Sequence, residues 1–358
     1  MKSIQSLQRE ALEAYPCKHR VVLTFDDLVL SLQTNAPEIS NGIASYFEPY
    51  VSDSKAPATI DIHVLDGAEP DWPKSFTAWS REPGKNKGKE AYFDVEGGRV
   101  VRKVRTGMHF MVQPRHHVAI GPASENLNQI INFVNFQFLN HLMDQGYCLC
   151  HGAGVAKGGA GIGLSAVSGG GKSTLALFLM NKGCDFVSND RVLLRASEEG
   201  VIMKGIPKQP RVNPGTLLNN PMLTSILSPS RTAELAQMPK AELWELEEKY
   251  DVMIKEVYGE NRERIAVPLK AYVILNWSPH SNEETQMRRL EAAEVEEYLG
   301  PVKKAAGPFF YPENSQPQHG YEEPASAPYL DVLGRVPVYL LSGKTDFRFV
   351  DDVFDLLV

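Results

Sequence analysis

The pattern of apolar and polar positions divides the chain into a strand-rich first third and a longer remainder in which strands and helices alternate. Apolar or alternating runs predict strands at residues 20–32, 59–65 and 109–120, and a hairpin that turns at Gly97-Gly98 within residues 91–104. A stretch rich in Pro, Gly and Lys at residues 69–88 lies among them and predicts turns. We therefore expect residues 1–120 to form a small α+β module, for which the sequence indicates no chemistry.

A long helix is predicted next, because apolar residues recur at helical spacing over residues 126–144 and Gly146 follows them. Two apolar stretches, residues 147–156 and 161–167, then predict strands joined by a short turn that contains two glycines. The second of these strands leads directly into the most informative motif of the chain.

Beyond that motif, polar helices alternate with apolar strands, for example a charged helix at residues 241–249 and a strand at residues 271–277. Such alternation is typical of α/β domains. We therefore expect two domains, the N-terminal module and an α/β domain over residues 121–358. A chain of 358 residues is long enough for each to bury a core of its own.

The motif is the segment AVSGGGKST at residues 166–174, between a strand and an apolar helix predicted at residues 173–182. Three consecutive glycines let backbone N–H groups turn toward one anion, and the N-terminus of the helix presents its positive dipole end to the same anion. This is the pattern of a phosphate-binding loop (Walker A), except that Ala166 replaces the first glycine. The residues expected to bind the nucleotide are Ser168, Gly169, Gly170, Gly171, Lys172, Ser173 and Thr174.

Two side chains of this loop have predicted roles. Lys172 is expected to reach the β- and γ-phosphates, and the Ser173 hydroxyl to bind Mg²⁺. An ordinary glycine-rich turn before a helix is the alternative, but Lys-Ser-Thr directly behind three glycines disfavours it. The sequence therefore predicts a protein that binds a nucleotide polyphosphate.

One helix separates Lys172 from Asp190, so this acid should lie on or at the end of the next strand of the same sheet. In open sheets that edge is where ligands bind. Asp190 is therefore a candidate for coordinating Mg²⁺ or for accepting the proton of an attacking hydroxyl. The alternative is a turn aspartate that organises only its own backbone.

Composition and charge exclude several classes of protein. A net charge of −7 and a pI near 5.8 argue against a nucleic-acid-binding protein, which would present a basic face. The N-terminal residues lack the apolar core of a signal peptide, and no segment has the apolar length of a membrane span, so we expect a cytoplasmic protein. The cysteines do not show a zinc-site spacing.

The order of motifs resembles a known family: His151-Gly152, the glycine loop, a helix, and then Val187-Ser188-Asn189-Asp190-Arg191. The sequence is similar to the catalytic core of HPr kinase/phosphorylase, and more closely to the HPr kinase-related kinases of the group called kinase B. The similarity covers roughly residues 121–358. It implies a P-loop kinase core of the HPr kinase type, a mixed sheet flanked by helices. Because the related enzymes often assemble, a homo-oligomer is one expectation of the resemblance.

Carried over to this chain, the resemblance implies an active-site role for His151 close to the phosphates, and a catalytic or metal-binding role for Asp190. The sequence itself gives no reason to single out His151, since a histidine beside a strand is more often a structural hydrogen-bonding group. HPr kinase has two adjacent acids where this chain has Asn189 and Asp190. Because an amide cannot act as a base, the reverse phosphorolysis is in doubt.

Phosphoryl transfer also needs positive charge around the moving phosphate. Arg211 is the preferred candidate, because a segment rich in Pro and Gly after the acid-bearing strand is the kind of loop that borders such a site. Arg191, Arg262 and Arg264 are the alternatives.

Three functional hypotheses follow. The first is a Mg²⁺-dependent kinase that transfers a phosphoryl group from ATP, or a related donor, to a hydroxyl of a protein or peptide serine or of a small serine-like molecule. The second is a nucleotide-binding sensor or assembly factor with little or no transfer, which Asn189 makes credible. The third, an ATPase that drives a partner complex, is disfavoured because the strand at 271–277 ends without an acid.

Overall fold

A computed structural model of the chain describes residues 2–84, 88–239, 242–243, 246 and 248–358. The chain forms two compact units, Met1–Gln145 with Ala305–Glu323 and Gly146–Lys304 with Pro324–Val358. Each contains a mixed sheet flanked by helices, which confirms the α/β class expected from the sequence. Residues 241, 244, 245 and 247 of the charged helix predicted at 241–249 lie outside the described residues.

The first unit is a sheet in the order β1-β2-β3-β8-β7-β6-β5-β4, in which β2, β3 and β8 run parallel and the other neighbours antiparallel. Its strands are β1 (His19–Phe25), β2 (Leu28–Thr34), β3 (Ile60–Asp66), β4 (Thr77–Ala78), β5 (Glu90–Val95), β6 (Gly98–Lys103), β7 (His109–Val112) and β8 (His116–Gly121). Its α-helices are α1 (Ile4–Ala14), α2 (Pro37–Tyr46) and α3 (Leu127–Asp144). Short 3₁₀ turns lie at Glu48–Tyr50 and Ser124–Asn126.

Two segments belong to this unit that the predicted boundary at residue 120 assigns elsewhere. Helix α3 packs on the first sheet, where Phe133 and Phe138 contact Phe110 and Phe25 with ring centroids 4.6 and 5.4 Å apart. Residues 305–323 are held by the fully buried Arg99, which donates hydrogen bonds to the carbonyl oxygens of residues 308 and 318. The boundary of the structure therefore falls after Gln145, with a later return of the chain.

The second unit has a sheet path β12-β10-β11-β17-β14-β13-β9, and β19 pairs with both β17 and β18. Its strands are β9 (Cys148–Cys150), β10 (Gly152–Lys157), β11 (Ala160–Ala166), β12 (Asp185–Ser188), β13 (Val192–Ser197), β14 (Gly200–Lys204), β15 (Arg211–Val212), β16 (Tyr250–Asp251), β17 (Ala266–Ser278), β18 (Gln286–Arg289) and β19 (Val338–Lys344). Its described α-helices are α4 (Lys172–Asn181), α5 (Pro214–Asn219), α6 (Pro229–Ala236), α7 (Ile254–Tyr258), α8 (Ala327–Leu333) and α9 (Val350–Asp355). Short 3₁₀ turns lie at Pro221–Ile226, Val295–Tyr298 and Phe347–Phe349.

Alternation along β17 explains how helices cover both faces of the second sheet. Val273 and Leu275 belong to the core cluster that contains residues of α4 and α9, whereas Tyr272 and Ile274 belong to the cluster that contains residues of α8. Successive strand side chains point to opposite faces, so one strand supplies both cores. Among the described residues, none of the helices has the length and apolar character that crossing a lipid bilayer requires.

Candidate functional site

Strand direction brings the predicted site residues to one edge of the second sheet. β11, β17 and β19 run parallel, so their carboxyl ends lie at the same edge. β10 runs antiparallel to β11, so β10 begins at this edge, and His151 lies there, directly before β10. β12 runs antiparallel to β10, so β12 ends at the same edge, just before Asp190. The expectation that Asp190 follows the next strand of the same sheet is met, with β10 lying between β11 and β12.

The glycine loop, residues 167–171, connects β11 to α4 in a tight turn. Gly169 and Gly171 have φ of 80° and 85°, a region that favours glycine. The Gly170 amide donates to the Val167 carbonyl at 2.9 Å, and Gly171 is the N-cap residue of α4. Glycine has no side chain with which to satisfy the first N–H groups of the helix, so these groups suit an external anion.

Two aromatic side chains at the ends of neighbouring strands support the loop. Trp277 Nε1 donates a hydrogen bond to the Gly170 carbonyl at 2.8 Å. Phe347 packs on Trp277 with ring centroids 5.2 Å apart, and its ring lies where a Cβ at Gly171 would project. The loop therefore has a fixed backbone rather than a free one.

The charged centre of the site consists of Lys172, His151, Asp190 and Arg191. Lys172 Nζ lies 2.9 Å from His151 Nε2 and 3.9 Å from Asp190 Oδ1. His151 Nε2 lies 3.3 Å from Asp190 Oδ1, and Arg191 Nη1 lies 3.3 Å from Asp190 Oδ2. The Lys172 side chain is 10% exposed and the Asp190 side chain 55%, so the centre opens to solvent at its acidic member.

His151 Nε2 faces a donor and an acceptor at once. It can accept a hydrogen bond from the Lys172 ammonium only if it carries no proton, and it can donate to Asp190 only if it does. One of the two contacts is therefore always unsatisfied while Lys172 stays in place. An anion that drew Lys172 away would leave His151 free to donate to Asp190.

Burial and charge shift the pKa values of these groups in different directions. Burial lowers the pKa of His151, the hydrogen bond with Asp190 opposes this, and the Lys172 charge adds to it. Burial would raise the pKa of the Asp190 carboxyl, but the His151 hydrogen bond and the charges of Arg191 and Lys172 hold it well below its usual range. The result is a neutral imidazole beside a firmly ionised carboxylate.

The backbone of His151 is fixed from both sides. Its amide donates to the Val302 carbonyl at 2.8 Å, and its carbonyl accepts from Ser165 Oγ at 2.9 Å. Tyr272 OH lies 2.5 Å from the same Ser165 Oγ, and both side chains are fully buried. Because the Ser165 hydroxyl donates its proton to the His151 carbonyl, it accepts the second hydrogen bond, in which the Tyr272 hydroxyl is the donor.

A strained turn presents Asp190. Its φ is 74°, a left-handed conformation that is rare for residues with a side chain. The buried Ser188 hydroxyl closes the turn by donating to the Arg191 carbonyl at 2.5 Å, and it accepts from the Ile206 amide at 3.3 Å. Residues held in such conformations cluster at active sites and ligand-binding turns.

The two hydroxyl residues of the loop differ in their surroundings. Ser173 follows Lys172 in the first turn of α4 and is partly exposed. Thr174 Oγ1 instead lies 2.7 Å from Thr216 Oγ1 of α5, which ties the helix to its neighbour. Within the described ranges no group of three or more His, Cys, Asp or Glu side chains forms a ready metal site.

The preferred arginine is not part of the charged centre. Arg211 Nε pairs with Asp251 Oδ1 at 3.0 Å, and its guanidinium also donates to the Lys249 carbonyl. Arg262 and Arg264 both pair with Asp185, at the start of β12 and so at the opposite end from Asp190. Arg191 is the arginine that the structure brings against Asp190.

Sequence reasoning also missed residues that build the site. Further lysines lie near the centre. Burial is the main cause that lowers the pKa of Lys172, and the charges of Lys249 and Lys304 lower it further. Burial also lowers the pKa of Lys208, and the charge of Arg191 adds to this while that of Asp190 opposes it. Ser165 carries no motif of its own, and for Trp277 the sequence offers only the family resemblance of residues 275–277, which gives its side chain no role. A Trp at a strand end and a Ser inside an apolar strand are the sequence features that could have indicated these two residues, and neither feature is specific for a functional site.

Comparisons with known proteins add little to this geometry. No protein-family model matches the sequence, and no curated protein matches it. Among solved structures, the chain is similar to the HPr(Ser) kinase/phosphatase from Coxiella burnetii, with 9% sequence identity and a TM-score of 0.28. That match covers 58% of this chain and 87% of the other. The resemblance to HPr kinase is therefore carried by the residue pattern of the sequence.

Proposed function

We propose that the second unit is a P-loop kinase core of the HPr kinase type that transfers a phosphoryl group from ATP, or a related donor, to a hydroxyl. The observation that carries this proposal is the contact of Lys172, at the start of α4, with His151 and Asp190 at one sheet edge. A glycine loop alone is shared by kinases, motors and switches. An acid and a histidine in contact with its lysine suit a site where a phosphoryl group moves.

The donor side of the proposed site consists of the glycine loop and Lys172. The N–H groups at the start of α4 and the ammonium of Lys172 would bind the polyphosphate, and Arg191 would stabilise charge that develops during transfer. When Lys172 turns to the phosphates, His151 Nε2 is released from it and can donate to Asp190. Nucleotide binding would thus leave Asp190 as the one hydrogen-bond partner of His151 Nε2 in this contact.

The residues present fit a magnesium ion. The Ser173 hydroxyl and the Asp190 carboxylate are hard oxygen ligands of the kind that Mg²⁺ prefers, and phosphate oxygens usually complete such a shell. The ion, when bound, would neutralise charge on the phosphates. Asp190 suits this role because its carboxylate is held ionised.

Transfer would proceed with the acceptor hydroxyl aligned by Asp190. The hydroxyl oxygen forms the new bond to the γ-phosphorus while the bond to the bridging oxygen breaks, which leaves a nucleoside diphosphate. A carboxylate with a lowered pKa is a weak base, so the proton leaves late, when the new P–O bond has made it acidic. Asp190 then receives it.

A nucleotide-binding sensor with little transfer is the second candidate, and two observations favour it. Asn189 stands where a second acid would be, and it is only 9% exposed. Asp190 is also engaged by His151 and Arg191 and has to give up part of these contacts to reach a substrate. A site of this kind could hold ATP without turnover.

Transfer of labelled γ-phosphate separates the two candidates. The full chain is incubated with γ-labelled ATP, Mg²⁺ and a panel of hydroxyl acceptors, namely serine, serine peptides and polyols, beside Asp190→Asn. The kinase proposal expects a labelled product that falls at least about 100-fold in the variant, with ATP affinity kept within about tenfold. Tight ATP binding without any labelled product would support the sensor instead.

A further inference from the structure

The first unit contains a cavity of about 300 Å³ that has no part in the proposed nucleotide site. It lies between helix α3, the start of β3, the turn between β7 and β8, and residues 309–314. Ligand pockets in proteins usually have volumes of about 300–1,000 Å³. This one is at the lower end, which suits a molecule of one or two rings.

Two buried polar side chains of the cavity lining have unused hydrogen-bonding atoms. His117 is 4% exposed and Gln137 is 1% exposed. In the described part of the chain, His117 Nδ1 and Gln137 Nε2 have no hydrogen-bond partner. Native proteins rarely leave such atoms unpaired unless a water or a ligand satisfies them.

The neighbours of Gln137 show which part of its amide is unused. Gln137 Oε1 already accepts a hydrogen bond from Asn140 Nδ2 at 3.2 Å, and the same Asn140 group donates to the Phe309 carbonyl at 2.7 Å. The amide nitrogen of Gln137 therefore remains as a donor. Its terminal torsion is soft, so a small rotation can turn this donor toward a ligand.

Both of these side chains are uncharged. Burial, with a smaller effect of the His116 charge, lowers the pKa of His117 to about 3, so its imidazole is neutral at physiological pH. A charged ligand group placed against His117 and Gln137 would lose its hydration and meet no opposite charge there. These two residues therefore select for an uncharged polar group.

Charged residues lie at other points of the cavity lining. Arg115 pairs with Glu313 at 3.1 Å and has a left-handed φ of 63°, with its carbonyl accepting from the Asp61 amide at 2.8 Å. Burial, with the charge of Glu313 as a smaller cause, raises the pKa of the nearby Asp144 carboxyl.

We propose that this cavity binds a small, flat, uncharged molecule that presents an amide or lactam edge to Gln137 and His117. The ligand carbonyl accepts from Gln137 Nε2, and the adjacent ligand N–H donates to His117 Nδ1. Both orphaned atoms are thereby satisfied by one planar group. The proposal does not depend on the function of the second unit.

Nicotinamide and nicotinate form a matched pair of probes, since they differ in an amide against a carboxylate. Binding to the full chain is followed by NMR of histidine-labelled and glutamine-labelled protein. We expect nicotinamide to bind at millimolar concentration with shifts at His117 and Gln137, and nicotinate to bind at least about tenfold more weakly. Equal binding of the two, or no binding of nicotinamide, would overturn the proposal.

Two substitutions on helix α3 provide the second test, in which the affinity for nicotinamide is measured. Gln137→Leu removes the unused donor and should weaken nicotinamide about tenfold, the equivalent of one hydrogen bond. Gln129→Leu, on the same helix but outside the cavity lining, should leave the affinity unchanged. An unchanged affinity for nicotinamide in a folded Gln137→Leu chain would contradict the assignment. A crystal structure of the parent chain with nicotinamide in which only water fills the cavity would also contradict it.

Discussion

Replacing Gly171 by alanine should destabilise the second unit more than the same change at Gly169. Both residues have left-handed φ, near 85° and 80°, and this conformation costs an L residue about 1–2 kcal/mol. Alanine also lowers the entropy of the unfolded chain, which returns about 0.4–1 kcal/mol. Gly169→Ala should therefore cost about 1 kcal/mol net, because its added Cβ meets open space among the described residues.

At Gly171 the added Cβ would lie 2.9 Å from Cζ of Phe347 and 3.1 Å from its Cε1. That ring cannot move freely, since Trp277 and Phe178 pack against it with centroids 5.2 and 5.6 Å away. Overpacking of this kind costs about 1–3 kcal/mol. We therefore expect Gly171→Ala to lower the free energy of unfolding by about 2–4 kcal/mol.

Urea denaturation of the full chain measures both costs, with the glycine variants compared at equal m-values. A double-variant cycle with Phe347→Leu isolates the ring contact. In that background Gly171→Ala should cost no more than Gly169→Ala, which corresponds to a coupling energy of about 1 kcal/mol or more. Equal costs of the two glycine variants in the parent chain would refute the packing of Phe347 on the loop.

Three further predictions concern the charged centre and the side chains behind it. Lys172→Met should raise the pKa of His151 and Asp190→Asn should lower it further, since the lysine charge lowers this pKa and the carboxylate raises it. NMR titration of the imidazole measures both shifts, and an unchanged His151 pKa in both variants would contradict the contacts. Tyr272→Phe removes the hydrogen bond to Ser165 and should cost about 1–2 kcal/mol of unfolding free energy, so an unchanged denaturation midpoint would contradict that bond. Folding lowers the pKa of Asp190, so its ionised carboxylate stabilises the folded chain above the unfolded pKa of about 3.9, and this stabilisation is lost as the pH falls. From about pH 5 downward, the free energy of unfolding should therefore fall more steeply for the parent chain than for Asp190→Asn. Parallel curves of unfolding free energy against pH for the two chains would exclude the effect.

Local pattern was sufficient for the loop and helix of the second unit. The glycines and the apolar run behind them predict a strand, a turn and a helix, and α4 begins at Lys172 as the motif requires. The position of Asp190 also follows, since one helix between two strands of a sheet returns the chain to the same edge. These features depend on neighbouring residues and on connections of short length.

Other features depend on contacts between distant segments, which no local pattern encodes. His151 reaches the site because β10 runs antiparallel between β11 and β12, an order that the sequence does not fix. The preference for Arg211 relied on the composition of its segment, but pairing with Asp251 across β15 and β16 decides where its guanidinium lies. The single strand predicted at residues 109–120 is two antiparallel strands, β7 and β8, because Pro114 and the left-handed Arg115 form a turn between them.

The central claim is that Lys172 and the glycine loop hold a nucleotide whose terminal phosphate is transferred. The most direct measurement is turnover of γ-labelled ATP with Mg²⁺ by the parent chain, by Lys172→Ala, and by Lys270→Ala, an exposed lysine of β17 that serves as the matched control. We predict that Lys172→Ala loses turnover by at least about 100-fold while remaining folded, and that Lys270→Ala keeps it. Unchanged turnover in a folded Lys172→Ala chain would contradict the claim.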